Sequence, residues 1–131
     1  YNLRDVSKVF QGVCSVKPEE LKAGSDLIRL WMHECTRVFA DRLIDDADLA
    51  WFDKDIHEVA ATHYNVHSME ELYDAKEPRR LLFCDFANPR SALKPYGEVK
   101  DMEALTTVVE GYLGDYNTVE QNKMNLVSRR F

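Results

Sequence analysis

Residues 25–43 read SDLIRLWMHECTRVFADRL. Ile28, Trp31, Met32, Cys35, Val38, Phe39 and Leu43 recur at spacings of three and four, the period of one buried helical face. Ser25 or Asp26 is placed to cap its start. Arg29, Glu34, Arg37 and Asp41 fall on the opposite face and are read as solvent-facing. His33, Glu34 and Cys35 suggest a nucleophile with its base, but adjacent helix positions point apart. Cys35 belongs to the apolar stripe and is assigned to the core.

The neighbouring segments are also helical. Upstream, Asn2 can cap a helix with Asp5 opposing the dipole in its first turn. Leu3, Val6, Val9, Phe10 and Val13 lie on its stripe, and Gly12 weakens its last turn. Residues 17–25 hold Pro18 and Gly24 and form a loop, with a turn at residues 19–21. Downstream, Asp45 and Asp46 cap a third helix with the stripe Leu49, Phe52, Ile56, Val59, Ala60 and His63. A link this short predicts antiparallel neighbours.

Ser68-Met69-Glu70-Glu71 is a capping box, predicting a short helix over residues 69–74. Residues 81–86 are a brief apolar run and read as extended, followed by turn signals at Asn88-Pro89 and Lys94-Pro95-Tyr96-Gly97. Asp101 caps a further helix with Leu105, Val108, Val109, Tyr112, Leu113 and Tyr116 on one side. Gly111 and Gly114 each lower its propensity by about 1 kcal/mol and are read as sites of close packing. Residues 124–131 look like the opening turns of another helix. The fold class is therefore all-α in the main: a small helical bundle, then an irregular, extended segment and a further helix.

Composition narrows the function. The chain has 131 residues, 45% of them hydrophobic and 31% charged, which argues against disorder. Its net charge is −6, unsuited to nonspecific nucleic-acid binding, and Arg79-Arg80 and Arg129-Arg130 are too short to form a basic patch. No apolar run approaches the ~20 residues needed to span a bilayer. Cys14, Cys35 and Cys84 read as reduced thiols of a cytosolic compartment. His63 and His67 have a helical metal-ligand spacing, with His57 nearby, but the helix is ending there and no Cys is close, so no metal site is expected. Asp45, Asp46, Asp48 and Asp53 invite comparison with a calcium loop, but the glycine and glutamate such a loop needs are missing. Trp51 lies off the main stripe of its helix and is a candidate for packing on another body.

Several phrases together carry a resemblance: Asn2-Leu3-Arg4-Asp5 with Phe10-Gln11-Gly12; Leu30-Trp31-Met32-His33-Glu34 with Arg37-Val38-Phe39; Asp41-Arg42-Leu43 and Asp45-Asp46-Ala47-Asp48; Phe83-Cys84-Asp85-Phe86; Tyr116-Asn117; and Met124-Asn125-Leu126-Val127. In this order the chain resembles the dynein heavy-chain family at the junction of its third and fourth AAA+ modules, more an axonemal than a cytoplasmic one. The resemblance implies that residues 1–75 form the helical lid of the third module. Residues 76–131 would be the connector and opening helices of the fourth, cut before its phosphate loop. Ser128-Arg129-Arg130 departs from the apolar helix the family usually continues with.

The resemblance also assigns roles. Arg4 matches the lid arginine that faces the nucleotide of its own module. The bland alternative is an exposed arginine paired with Asp5 or Glu58. Trp51, singled out by its place off the stripe, packs either on an adjacent module or within the helical pair. ATP or ADP with Mg would be the cofactor of the complete module, with none in the fragment, which would not be an enzyme by itself. The partners would be the adjacent AAA+ large subdomains, and the microtubule through the whole motor. The location would be the cytoskeleton, in a ciliary or flagellar axoneme. Hinges are expected before Asn2 and over residues 75–96. A competing reading is a free-standing acidic helical interaction module; sequence beyond the two ends distinguishes them.

Overall fold

The structure is a computed structural model that describes residues 1–64, 66, 72–73, 81–119 and 124. The element order is α1 (Leu3–Val13), a 3-10 turn (Pro18–Glu20), α2 (Gly24–Phe39), a second 3-10 turn (Ala40–Arg42), α3 (Asp46–Tyr64), β1 (Phe83–Cys84), β2 (Gly97–Glu98) and α4 (Met102–Asn117). The mainly helical class is as expected. The short helix predicted over residues 69–74 and the helix predicted to open at 124 lie outside the described residues.

Local chemistry sets the helix ends. Asn2 Oδ1 accepts the Arg4 N–H at 2.9 Å, and Asp5 returns the favour by accepting the Asn2 N–H at 3.1 Å, a reciprocal capping box. Asp45 Oδ1 accepts the Ala47 N–H at 2.7 Å at the head of α3. Asp101 accepts from Ala104 at the head of α4. For α2 the expectation is corrected. The helix starts at Gly24, and Asp26 sits one turn inside, accepting the Lys22 and Ala23 N–H groups at 2.9 and 3.0 Å. Its far end is also earlier than predicted: the α-helix stops at Phe39 and tightens into the 3-10 turn, so Leu43 lies beyond it.

Helix α2 contributes to both apolar cores. One core joins Val9 of α1, Met32, Cys35 and Val38 of α2, and Ile56 and Ala60 of α3, together with Val66 and Leu72. A second core, on another side of α2, joins Leu30 to Val16 and Phe83. The predicted single apolar stripe omitted Leu30, which is fully buried. Burial of each such side chain stabilises the fold by roughly 1.5–3 kcal/mol.

Between α1 and α2 the packing is set by a glycine. A Cβ built on Gly12 would stand 1.9 Å from Glu34 Oε2 and 2.1 Å from its carboxyl carbon. Gly12 therefore does more than weaken a turn: it lets the helix backbone approach a buried carboxylate. Gly111 and Gly114, expected to permit close packing, have none of the described residues within 4 Å of a Cβ placed there.

The apolar run at residues 81–86, expected to be extended, is a strand at Phe83 and Cys84, and it has a partner that the sequence did not suggest. Gly97, read as the end of a turn, and Glu98 form β2 antiparallel to β1, with Phe83 opposite Glu98 and Cys84 opposite Gly97. Val99 extends the pairing by donating to Leu82 O at 2.8 Å.

These glycines give opposite expectations. Gly12→Ala forces the Glu34 side chain out of its bonds and should destabilise the chain by about 1–3 kcal/mol. Gly111→Ala replaces a helical glycine with none of the described residues in its way and should stabilise the helix by about 0.5–1 kcal/mol. Urea denaturation of the two variants measures both, and equal midpoints would contradict the packing.

Candidate functional site

Arg4 stands in the first turn of α1. Its backbone is held by the Asn2 cap, while its side chain is exposed and makes no ion pair among the described residues. The partners considered for it are otherwise disposed. Glu58 forms no pair with it. Asp5 is 4% exposed and binds Lys8 Nζ at 3.2 Å and Arg42 Nη2 at 2.9 Å. The bond from the Asn2 backbone, then Lys8 and Arg42, hold the Asp5 carboxyl down at about 2. Next to it the Tyr1 ring meets Phe39 edge-on at 5.2 Å and carries the Arg42 guanidinium 5.6 Å from its centre. The Tyr1 hydroxyl donates to Phe39 O at 2.8 Å.

At the other end of α1 lies a buried polar centre. Glu34, assigned from sequence to the solvent-facing side of its helix, is 0% exposed. Its Oε2 accepts Arg37 Nη2 at 2.6 Å and Arg37 Nε at 3.1 Å, and its Oε1 accepts the Tyr96 hydroxyl. His33 Nδ1 lies 3.0 Å from Leu81 O. A carbonyl only accepts, so Nδ1 carries the proton and Nε2 is bare. Nε2 lies 3.3 Å from the Tyr96 hydroxyl and 3.9 Å from Glu34 Oε1. Arg29, also assigned to the solvent-facing side, donates to Leu72 O and Glu98.

Burial and charge explain the titration of this centre. Burial lowers the His33 pKa from its ordinary 6.5, with the Leu81 carbonyl and Glu34 pulling the other way. Burial, then Glu34, push Cys35 up to about 12, so its thiol is inert as a nucleophile. Burial and the bond to Glu34 likewise raise Tyr96. Arg37 is raised by its bond to Glu34. The arrangement joins α1, α2 and the β-hairpin; it presents no activated nucleophile.

The remaining candidates fall out separately. His57 Nε2 lies 2.7 Å from the Tyr73 hydroxyl and its Nδ1 faces Asp53 O. His63 is exposed, and His67 lies outside the described residues. Among the described residues no group of three His, Cys, Asp or Glu side chains is disposed to hold a metal ion. Trp51 is 64% exposed on α3. The α1 stripe is only partly covered: Val6 and Phe10 wall an apolar groove of about 670 Å³ together with Leu27, Ile28, Trp31 and Tyr64. No described helix is long and apolar enough to cross a membrane.

Sequence comparison places this architecture. A model of the AAA+ lid domain family matches residues 1–74, and the chain belongs to that family. It is also similar over most or all of its length to axonemal dynein heavy chains. It is 36% identical over 128 residues to Dynein axonemal heavy chain 1 of Mus musculus, covering 97% of this chain and 3% of that protein. It is 37% identical over 140 aligned residues to Dynein axonemal heavy chain 3 of Mus musculus, covering 100% and 3%. Dynein axonemal heavy chain 11 of Sus scrofa is 42% identical over 117 residues, covering 89% and 2%. The chain thus spans about 3% or less of the length of these relatives.

The buried histidine gives a pH dependence of known sign. Its folded-state pKa is below 6.5, so on acidification the unfolded chain takes up the proton first. Stability is full above about 6.5 and is lost as the pH falls below it toward the folded-state value. Unfolding free energies at pH 7.5 and 5.5 should show this loss, and His33→Asn should flatten it. An unchanged slope in that variant would exclude His33 as the source.

Proposed function

We propose that this chain is the lid of one AAA+ module in an axonemal dynein heavy chain, with the opening of the next module attached. By the resemblance these are the third and fourth modules. The lid closes over the nucleotide held by the large subdomain of its own module and passes that module's nucleotide state to its neighbour. The collinear similarity to axonemal heavy chains supports this reading, since it runs past the 74 residues of the lid family into the hairpin and α4. No observation favours a free-standing interaction module.

The observation that carries the mechanism is the Arg4 guanidinium, exposed and without an ion pair among the described residues, on a turn held by the Asn2–Asp5 capping box. A guanidinium stays charged and makes forked bonds to phosphate oxygens. Arg4 therefore has a different interaction with a triphosphate than with a diphosphate, and that difference biases the lid angle. In the complete heavy chain MgATP would supply the hydrolysable bond, and Arg4 would contact its phosphates from the lid side. The fragment alone hydrolyses nothing. The apolar groove beside α1 and the exposed Trp51 pack on adjacent large subdomains of the same heavy chain. The microtubule is reached only through the whole motor, in a ciliary or flagellar axoneme.

Arg4→Ala in the complete motor should weaken the coupling of nucleotide state to microtubule release, by about 5-fold or more, without unfolding the lid. Arg4→Lys should recover little, because a point charge lacks the fork. Steady-state ATPase and microtubule-release assays measure this; wild-type responses in Arg4→Ala would remove Arg4 from the mechanism.

A further inference from the structure

We propose that Asp5 and Arg42 are positioning residues that fix the turn from which Arg4 projects; this rests on the nucleotide-facing reading of Arg4. The first turn of a helix has N–H groups without intrahelical partners and frays unless something holds it. Apolar packing does not hold this one, since Leu3 is 84% exposed and Val6 is exposed as well. Asp5 is the one buried residue among the first four of α1.

Its carboxylate gathers three donors. Oδ2 takes the Asn2 N–H, and Oδ1 takes Lys8 and Arg42. Lys8 belongs to α1 itself, so it ties the turn only to its own helix. Arg42 comes from the 3-10 turn between α2 and α3, and through it the Arg4 turn is tied to a second element. Arg42 also lies over Tyr1, whose hydroxyl occupies the Phe39 carbonyl at the end of α2. The result is a clasp of Asp5, Arg42, Tyr1 and Phe39. The Arg42 side chain is half exposed, so it can be replaced without opening the core.

The clasp has a consequence that a merely stabilising contact lacks. If Arg42 acts through Arg4, its removal costs nothing further once Arg4 is gone. The test is a double-mutant cycle in the complete heavy chain, using Arg4→Ala, Arg42→Gln and the pair, read as the difference in microtubule release between ATP and ADP. Arg42→Gln alone should reduce that difference by about 2- to 30-fold, and the double variant should equal Arg4→Ala. Asp5→Asn keeps an acceptor for the Asn2 N–H while removing the charge, and should behave as Arg42→Gln does. An Arg42→Gln effect of the same factor in both backgrounds, or no effect in either, overturns the clasp while leaving Arg4 in place. A wild-type response in Arg4→Ala overturns the Arg4 reading and this inference with it.

Discussion

The burial of the Glu34 carboxylate under the backbone of Gly12 is the constraint on which the other packing depends. Removing a carboxylate from water costs several kcal/mol unless charged and hydrogen-bonding partners compensate. Arg37 supplies charge from the same helix, and Tyr96 supplies a hydroxyl from the end of the hairpin. Neither arrangement tolerates a side chain at Gly12, so α1 must cross α2 there. The hairpin must also fold back to deliver Tyr96. Arg29 with Glu98, and His33 with Leu81, repeat the attachment along α2. The two strands of the hairpin and Leu81 are consequently bound to the helical bundle. Within the segment expected to act as a hinge, Leu81, Phe83 and Tyr96 are held against α2.

Helix α1 then works as a bar fixed at two ends. Its C-terminal end lies on the buried polar centre, and its N-terminal end is tied by Asp5 to Arg42. Between them Val6 and Phe10 remain uncovered along the groove. A helix held at both ends is set to move with the bundle as one body, because packed interiors are stiff. That is the property a nucleotide-responsive lid requires.

The sequence showed most of the local structure and little of the polar architecture. Asn2, Asp45 and Asp101 were legible as caps because capping is decided within a few residues. Cys35, Ile56 and Ala60 were legible as core because their spacing follows the helical period. Glu34 was misassigned because an acid on a helix is solvent-facing unless a distant partner covers it, and Tyr96 is 62 positions away. Gly12 looked like a weakness for the same reason. Strand β2 hid inside a turn signal because two-residue strands leave no alternation to detect. Arg4 was singled out only through the resemblance. Its clasp escaped notice because Asp5 already had a sufficient local explanation in the helix dipole, and nothing in the spacing links it to Arg42.

The most direct test is a pair of distances in the complete heavy chain. Spin labels at Ser7 on α1 and Asp85 beside β1 report on the lid and hairpin as one body. A second pair, from Ser7 to the large subdomain that holds the nucleotide, reports on lid closure. A lid that moves as a unit with nucleotide state predicts that the first distance is the same with ATP and ADP while the second shifts. A nucleotide-dependent change within the first pair, or none in the second, would contradict it.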